Sequence, residues 1–247
     1  MPKRRPPRQP PFDPPAGSSP PGPSPESPLT PARASRLPSK GPERSARPFV
    51  PDSRSLTALA AAAEGCKGCD LYARATQVVF GAGAKRATMM LVGEQPGDKE
   101  DLEGKPFVGP AGAMLQRALE QAGLKPETIY VTNAVKHFSW EPRGKRRIHK
   151  KPRASEIRAC RPWLEAEIET VRPRVIVCLG ATAAQSVLGP QFKLMAQRGQ
   201  AIASPFAPAV VATIHPSSIL RAPDDESRKA ALAGMVSDLR AAAALLD

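Results

Sequence analysis

Gly93-Glu94-Gln95-Pro96-Gly97 places a carboxylate and an amide in a loop directly after the apolar run Thr88-Met89-Met90-Leu91-Val92. A buried strand that opens into a polar loop is where a parallel α/β sheet gathers its ligands, at the carboxyl ends of the strands. Glycine at both ends with proline between favours a tight turn that can hold a carboxylate and backbone N–H groups against a flat ligand. An ordinary βα turn carries the same punctuation. Two further apolar runs end in polar residues of the same kind: Asn133 follows one, and His215-Pro216-Ser217-Ser218 follows the other. These residues should converge on one rim.

A second group consists of the four cysteines. Cys66 and Cys69 form a C-x2-C knuckle before the first strand, Cys160 sits in a helical pattern, and Cys178 falls 18 positions later in a strand pattern. Four thiolates suit zinc or an iron–sulfur cluster, and C-x2-C spacing serves both. Four unconnected buried thiols are the structural alternative, because free cysteine is a common core residue.

The elements that must hold these residues alternate. Apolar runs over Ala87–Val92, Ile129–Thr132, Val175–Leu179 and Ala209–Ile214 predict buried strands. Helical patterns cover Ala111–Ala122, Ser155–Val171, Ala181–Leu188 and Ser227–Leu246. Alternation of this kind predicts right-handed βαβ units, a mainly parallel four-stranded sheet and helices on both faces, a three-layer α/β/α architecture.

Composition divides the 247 residues unequally. Residues 1–50 hold 16 of the 30 prolines with 9 basic and 3 acidic residues, too little apolar periodicity to offset the entropy of ordering. A disordered, basic, Pro-rich tail is therefore expected over residues 1–55, followed by one folded domain over 56–247. The rest of the chain after residue 50 still carries 27 basic against 20 acidic residues, so a polyanion, nucleic acid first, is the expected partner. No signal-peptide pattern or run of about 18 apolar residues is visible, so a soluble intracellular protein is expected.

The ordered series C-x2-C, GEQPGDKEDLEGKPFVGPAG, YVTNAVKH, ACRPWLEAEI, VIVCLGATAA and ATIHPSS resembles the iron–sulfur uracil-DNA glycosylases of family 4. The insertion Gly144-Lys145-Arg146-Arg147-Ile148-His149-Lys150, with Gln95 where the ordinary family has alanine, resembles the UdgX branch of that family. The resemblance covers residues 64–244. It implies the glycosylase fold, a [4Fe–4S] cluster on Cys66, Cys69, Cys160 and Cys178, and uracil in DNA as substrate; a single-stranded form of that DNA and a monomeric protein are separate expectations.

Roles follow from matching that chemistry to residues. Such an enzyme takes the nucleotide out of the stack, reads the base edge and stabilises charge as the C1′–N1 bond breaks. Phe107 would stack on uracil and Asn133 would read O4 and N3. Backbone groups of Gly93 to Gln95 would hold the O2 side, and His215 would donate to O2 as negative charge develops there. The resemblance assigns His149 to covalent capture of the sugar C1′ after uracil leaves, with Glu94 as its carboxylate partner. Arg147 and the flanking lysines would hold the insertion down and meet phosphates. His137, close behind Asn133, has no derivable role. Two alternatives remain open at this level: a conventional multiple-turnover family 4 hydrolase, and a cluster-bearing DNA-binding module without catalysis.

Overall fold

The computed structural model describes residues 44–246. The expected tail lies outside the described residues as far as residue 43. In chain order the elements are α1 (Leu56–Ala63), β1 (Ala82–Gly83), β2 (Met89–Gly93), α2 (Asp98–Glu103), α3 (Pro110–Ala122), β3 (Ile129–Asn133), β4 (Trp140–Arg143) and β5 (Arg146–His149). They continue as α4 (Ala154–Val171), β6 (Val175–Leu179), α5 (Ala181–Leu188), α6 (Leu194–Gln197), β7 (Ala201–Ser204), β8 (Ala207–Thr213), α7 (Pro216–Leu220) and α8 (Asp225–Ala243).

Strands β3, β2, β6 and β8 lie side by side in that order, all parallel. They are the four strands expected. The sheet nevertheless has six, because β1 adds to β3 and β7 adds to β8, both antiparallel. Two residues of β1 and the half-exposed Ala201–Ser204 are too short and too polar to show a period.

Alternation of side chains sorts the sheet into two buried faces. Met90, Val92, Ile176, Cys178, Val210 and Ala212 pack with Leu164 and Ile168 of α4 and Val187 of α5. Met89, Leu91, Val177 and Val211 pack on the opposite side with Leu115 and Leu119 of α3 and Met235 and Leu239 of α8. Each such aliphatic side chain contributes about 1.5–3 kcal/mol on burial. A one-residue slip would reverse both faces at once, so the register is fixed. The result is the expected three-layer α/β/α arrangement.

The domain boundary expected at residue 56 moves toward the N-terminus. Ala46 is 1% exposed and its N–H donates to the Ala159 carbonyl at 2.7 Å. A side chain at Gly68 would run into the Ala46 backbone, so glycine is what lets the 44–49 segment lie on the C-x2-C loop. The short run SARPF carries one buried alanine, which gives periodicity arguments nothing to register.

Candidate active site

The parallel strands end on one edge, with Gly93 paired to Asn133 and Leu179 to Thr213, so the loops that leave them face a common space. That space is a cavity of about 710 Å³ whose wall includes Glu94, Gln95, Phe107, Asn133, His149 and His215. The rim expected from sequence is thus assembled. Gly93 lies beneath the wall instead of in it. Its carbonyl accepts from Ala134 N–H at 2.8 Å, and that of Glu94 accepts from Val135 N–H at 3.0 Å, which locks the first loop to the second. A Cβ at Gly93 would collide with the Asn133 side-chain oxygen and the Phe107 ring. The glycine therefore makes room for both side chains.

Asn133 is 3% exposed, yet no hydrogen bond from the described residues reaches its side-chain amide. Its amide opens onto the cavity, where a ligand edge can meet both the donor and the acceptor. Phe107 has φ 57°, in the left-handed region that bulky residues avoid. Strain of this kind, of order 1–3 kcal/mol, persists where surrounding contacts hold it. Here it stands the ring beside the His215 imidazole, with centroids 6.5 Å apart and planes 29° apart.

His215 accepts at Nδ1 from the Ser217 N–H at 3.2 Å, and the Ser217 hydroxyl lies 2.8 Å from the same nitrogen. With Nδ1 accepting, the neutral ring carries its proton on Nε2 and is a donor there. Burial, aided by Arg221 and His149, lowers the pKa of His215 from 6.5 to about 4, so the neutral form is held across physiological pH.

The insertion is a β-hairpin. Strands β4 and β5 pair antiparallel around Gly144, at φ 59°, and Trp140 stands opposite His149. Gln95 pins the hairpin to the first loop. Its amide oxygen accepts from Ser139 N–H at 2.9 Å, so its nitrogen faces the Ser139 and Lys150 carbonyls at 3.1 and 3.0 Å and His149 Nε2 at 2.8 Å. The amide has two N–H groups for these three neighbours, and the direction of the His149 contact follows the imidazole tautomer. Glu94 Oε1 is 3.6 Å from Nε2, which is an electrostatic neighbour and not a hydrogen bond. The expected Glu94 thus lies within ion-pair distance of His149, and Gln95 is the residue at hydrogen-bonding distance from it.

Arg147 does not face the cavity. Its guanidinium bonds Asp98 at 2.6 Å, Asp101 at 2.5 Å and Thr76 at 3.0 Å, and it lies over the Phe138 and Trp140 rings. It clamps the hairpin to α2, and the expected phosphate contact is not what its donors are doing. Sequence reasoning missed the two carboxylates. Asp98 and Asp101, one helical turn apart, were the available signal. Glu100 was missed as well: its carboxylate accepts from Gly97 N–H at 3.1 Å and Gly109 N–H at 2.8 Å, stapling the two glycine loops that flank the cavity.

The family model for the uracil DNA glycosylase superfamily matches residues 80–240, which includes every one of these cavity residues. The chain belongs to that superfamily. A type-4 uracil-DNA glycosylase of Thermotoga maritima is 38% identical over 168 residues, covering 68% of this chain and 84% of the relative. One from Sulfurisphaera tokodaii is 35% identical over 64% of this chain and 73% of its own length. One from Archaeoglobus fulgidus is 42% identical over 49% of this chain and 58% of its own length. Among the described residues no helix is long and apolar enough to cross a membrane.

In this member of the superfamily the four cysteines do not form one group. Cys66, Cys69 and Cys160 share an apolar cluster with Ala46, Phe80 and Trp163. Trp163 Nε1–H points at Cys66 Sγ, 3.2 Å away, and Lys136 N–H at Cys160 Sγ, 3.3 Å away. Burial pushes the Cys160 thiol up to about 12, and Cys66 and Cys69 add to that as like charges. Cys178 instead sits in the sheet, opposite Val92 and Ala212 in its two neighbouring strands and within the α4/α5-facing core. Burial alone pushes it up to about 12, with no contribution from another thiol. The expectation that Cys178 completes the set is therefore corrected: strand parity sends its side chain into the sheet core. Among the described residues no three His, Cys, Asp or Glu side chains close on a single ion. His137, two residues beyond Val135 of the thiol cluster, is 6% exposed and has no hydrogen bond to its ring among the described residues.

Proposed function

We propose that this protein is a uracil-DNA glycosylase that captures the abasic sugar it creates through His149. The single observation that carries the reading is the place of His149, held 2.8 Å from the Gln95 amide and 3.6 Å from Glu94 in the wall of the cavity that Phe107, Asn133 and His215 also line.

In the cavity Phe107 stacks on the flipped uracil, and Asn133 pairs with O4 and N3. Cytosine presents an amino group in place of O4, leaving donors facing each other at about 1–3 kcal/mol per unsatisfied buried group. As the C1′–N1 bond breaks, its electron pair leaves with uracil, and the His215 Nε2–H stabilises the charge on O2. The Nε2 lone pair of His149 then forms the bond to C1′. The resulting imidazolium is balanced by Glu94, 3.6 Å away. No water is consumed and no second turnover follows.

For the cofactor we propose a [4Fe–4S] cluster, the group that the type-4 resemblance implies. Three buried thiols with N–H groups aimed at two of them suit anionic sulfur. The fourth ligand is assigned to His137, a buried imidazole next to the residue that contacts Cys160 Sγ. When bound, the cluster supplies structure.

Denaturing gels of protein mixed with a uracil-containing single-stranded oligonucleotide test the function. A one-to-one, heat-stable adduct is expected, and thymine DNA should give none. His149→Ala should abolish the adduct while free uracil and an alkali-labile abasic site still appear. An adduct retained by His149→Ala overturns the assignment.

A further inference from the structure

Lys136 is buried on every side, with 1% of its side chain exposed, and it faces a fully buried carboxylate, Glu167. The two form a direct ion pair. Glu167 also accepts from Gly81 N–H, from the Tyr130 hydroxyl and from the Thr132 hydroxyl, at 3.0, 2.9 and 3.0 Å. A buried pair of this kind is weak evidence for stability, because desolvating both charges offsets most of their attraction. Something other than net stability is expected of it.

Where the Lys136 ammonium sends its remaining protons answers that. One goes to the main-chain carbonyl of Asn133 at 2.8 Å, and another to the Thr132 hydroxyl at 2.6 Å. Asn133 is the residue whose amide faces the cavity without a partner, and its loop is already tied to the first loop through Ala134 and Val135. The ammonium holds the main-chain carbonyl of the residue whose side chain faces the cavity. The main-chain N–H of Lys136 donates to Cys160 Sγ, so Lys136 joins the thiol cluster to the base-reading loop.

We propose that Lys136 is a positioning residue for Asn133, and that the buried Lys136–Glu167 pair exists to hold the base-reading amide in its productive orientation. The proposal rests on the uracil-excision reading. Its consequence is specific to the rate of base release: a misplacement of about 1 Å in a positioning group lowers a rate by about 10²-fold. Affinity for DNA that lacks uracil involves no Asn133 contact and should not change.

The test is the double variant Lys136→Met with Glu167→Gln, which removes both charges and leaves no unpaired buried ion. Lys136→Leu with Glu167→Met is a second, wholly apolar form. Full-length proteins are compared by thermal melting, by iron content, by affinity for thymine-containing oligonucleotide and by the single-turnover rate of uracil release at saturating enzyme. The expected result is a cooperative fold, wild-type iron and wild-type affinity, with release slowed about 10²-fold. A folded double variant that releases uracil within about threefold of wild type makes the pair merely structural and overturns the proposal. Failure of both forms to fold does the same. Wild-type protein that releases no uracil overturns the functional reading itself, a result distinguishable from a slow variant beside an active wild type.

Discussion

Replacing Arg147 with Met should uncouple the two halves of the proposed reaction. Arg147 reaches two carboxylates, and their environments differ: the Asp98 side chain is 50% exposed while that of Asp101 is 0% exposed. The Asp98 pair, screened by water, contributes at most about 1 kcal/mol. Asp101 is the larger effect, since removing the partner of a buried charge costs about 3–5 kcal/mol. Part of that is recovered because Asp101 still accepts from Thr76 N–H at 3.0 and 3.1 Å, so about 3 kcal/mol is a fair working value. Methionine retains the stem that packs against Phe138 and Trp140 and isolates the charge. The penalty falls on the hairpin, because Arg147 bridges β5 to α2 and Gln95 is left to hold His149 without it. A loss of about 3 kcal/mol corresponds to about 10² in the docked population of His149. None of the residues assigned to bond cleavage bonds to the Arg147 side chain. Uracil release should therefore stay within a fewfold of wild type, while the ratio of covalent adduct to free abasic product falls about 10- to 100-fold. The assay is a time course run on parallel denaturing gels, one reading adduct and one reading alkali-cleaved strand. An adduct formed at wild-type rate and yield would refute the clamp. Equal loss of release and capture would place Arg147 in the cleavage machinery instead.

Two other perturbations have opposite characters. Cys178→Val should leave iron content and the broad sulfur-to-iron absorption intact, because its thiol packs in the sheet core, whereas Cys160→Ala and His137→Ala should each remove them; loss of iron in Cys178→Val would restore the four-cysteine set. Acidification should expose His215: its folded pKa of about 4 lies below the unfolded 6.5, so the unfolded chain binds more protons between those values. The contribution of the neutral ring is complete above pH 6.5, is lost at up to about 1.4 kcal/mol per pH unit as pH falls toward 4, and levels off below that. His215→Gln should remove that slope from urea midpoints measured at several pH values, and parallel profiles for the two proteins would refute the assignment.

What the sequence displayed was whatever repeats along the chain. Continuous apolar runs located the four parallel strands within a few residues, and helical periodicity located α3, α4, α5 and α8, since strands buried on both faces and helices buried on one leave those local patterns. Glu94, Gln95, Asn133 and His215 were legible as cavity residues because strand ends in a parallel sheet share one edge, whereas Phe107 and His149 were reached only through the family resemblance. The roles that depend on distant partners were not. Nothing near Arg147 in the chain announces Asp98 and Asp101, 46 to 49 positions earlier, so a lone arginine in a basic run reads as a phosphate contact. Cys178 misled for a related reason. Its spacing from Cys160 suggested a pair, but residue spacing along a helix and the strand after it does not say which face a strand position takes, and here parity turned the thiol toward Val92 and Ala212. Lys136 is the sharpest case. In sequence it is one more cation in a chain of net charge +13, which argues for solvent or phosphate. In the fold it is buried against Glu167, 31 residues away, and its ammonium is committed to the carbonyl of the base-reading asparagine. A positive charge that the composition assigns to DNA is thus withdrawn from it, and its effect on DNA is exerted only through the orientation of Asn133.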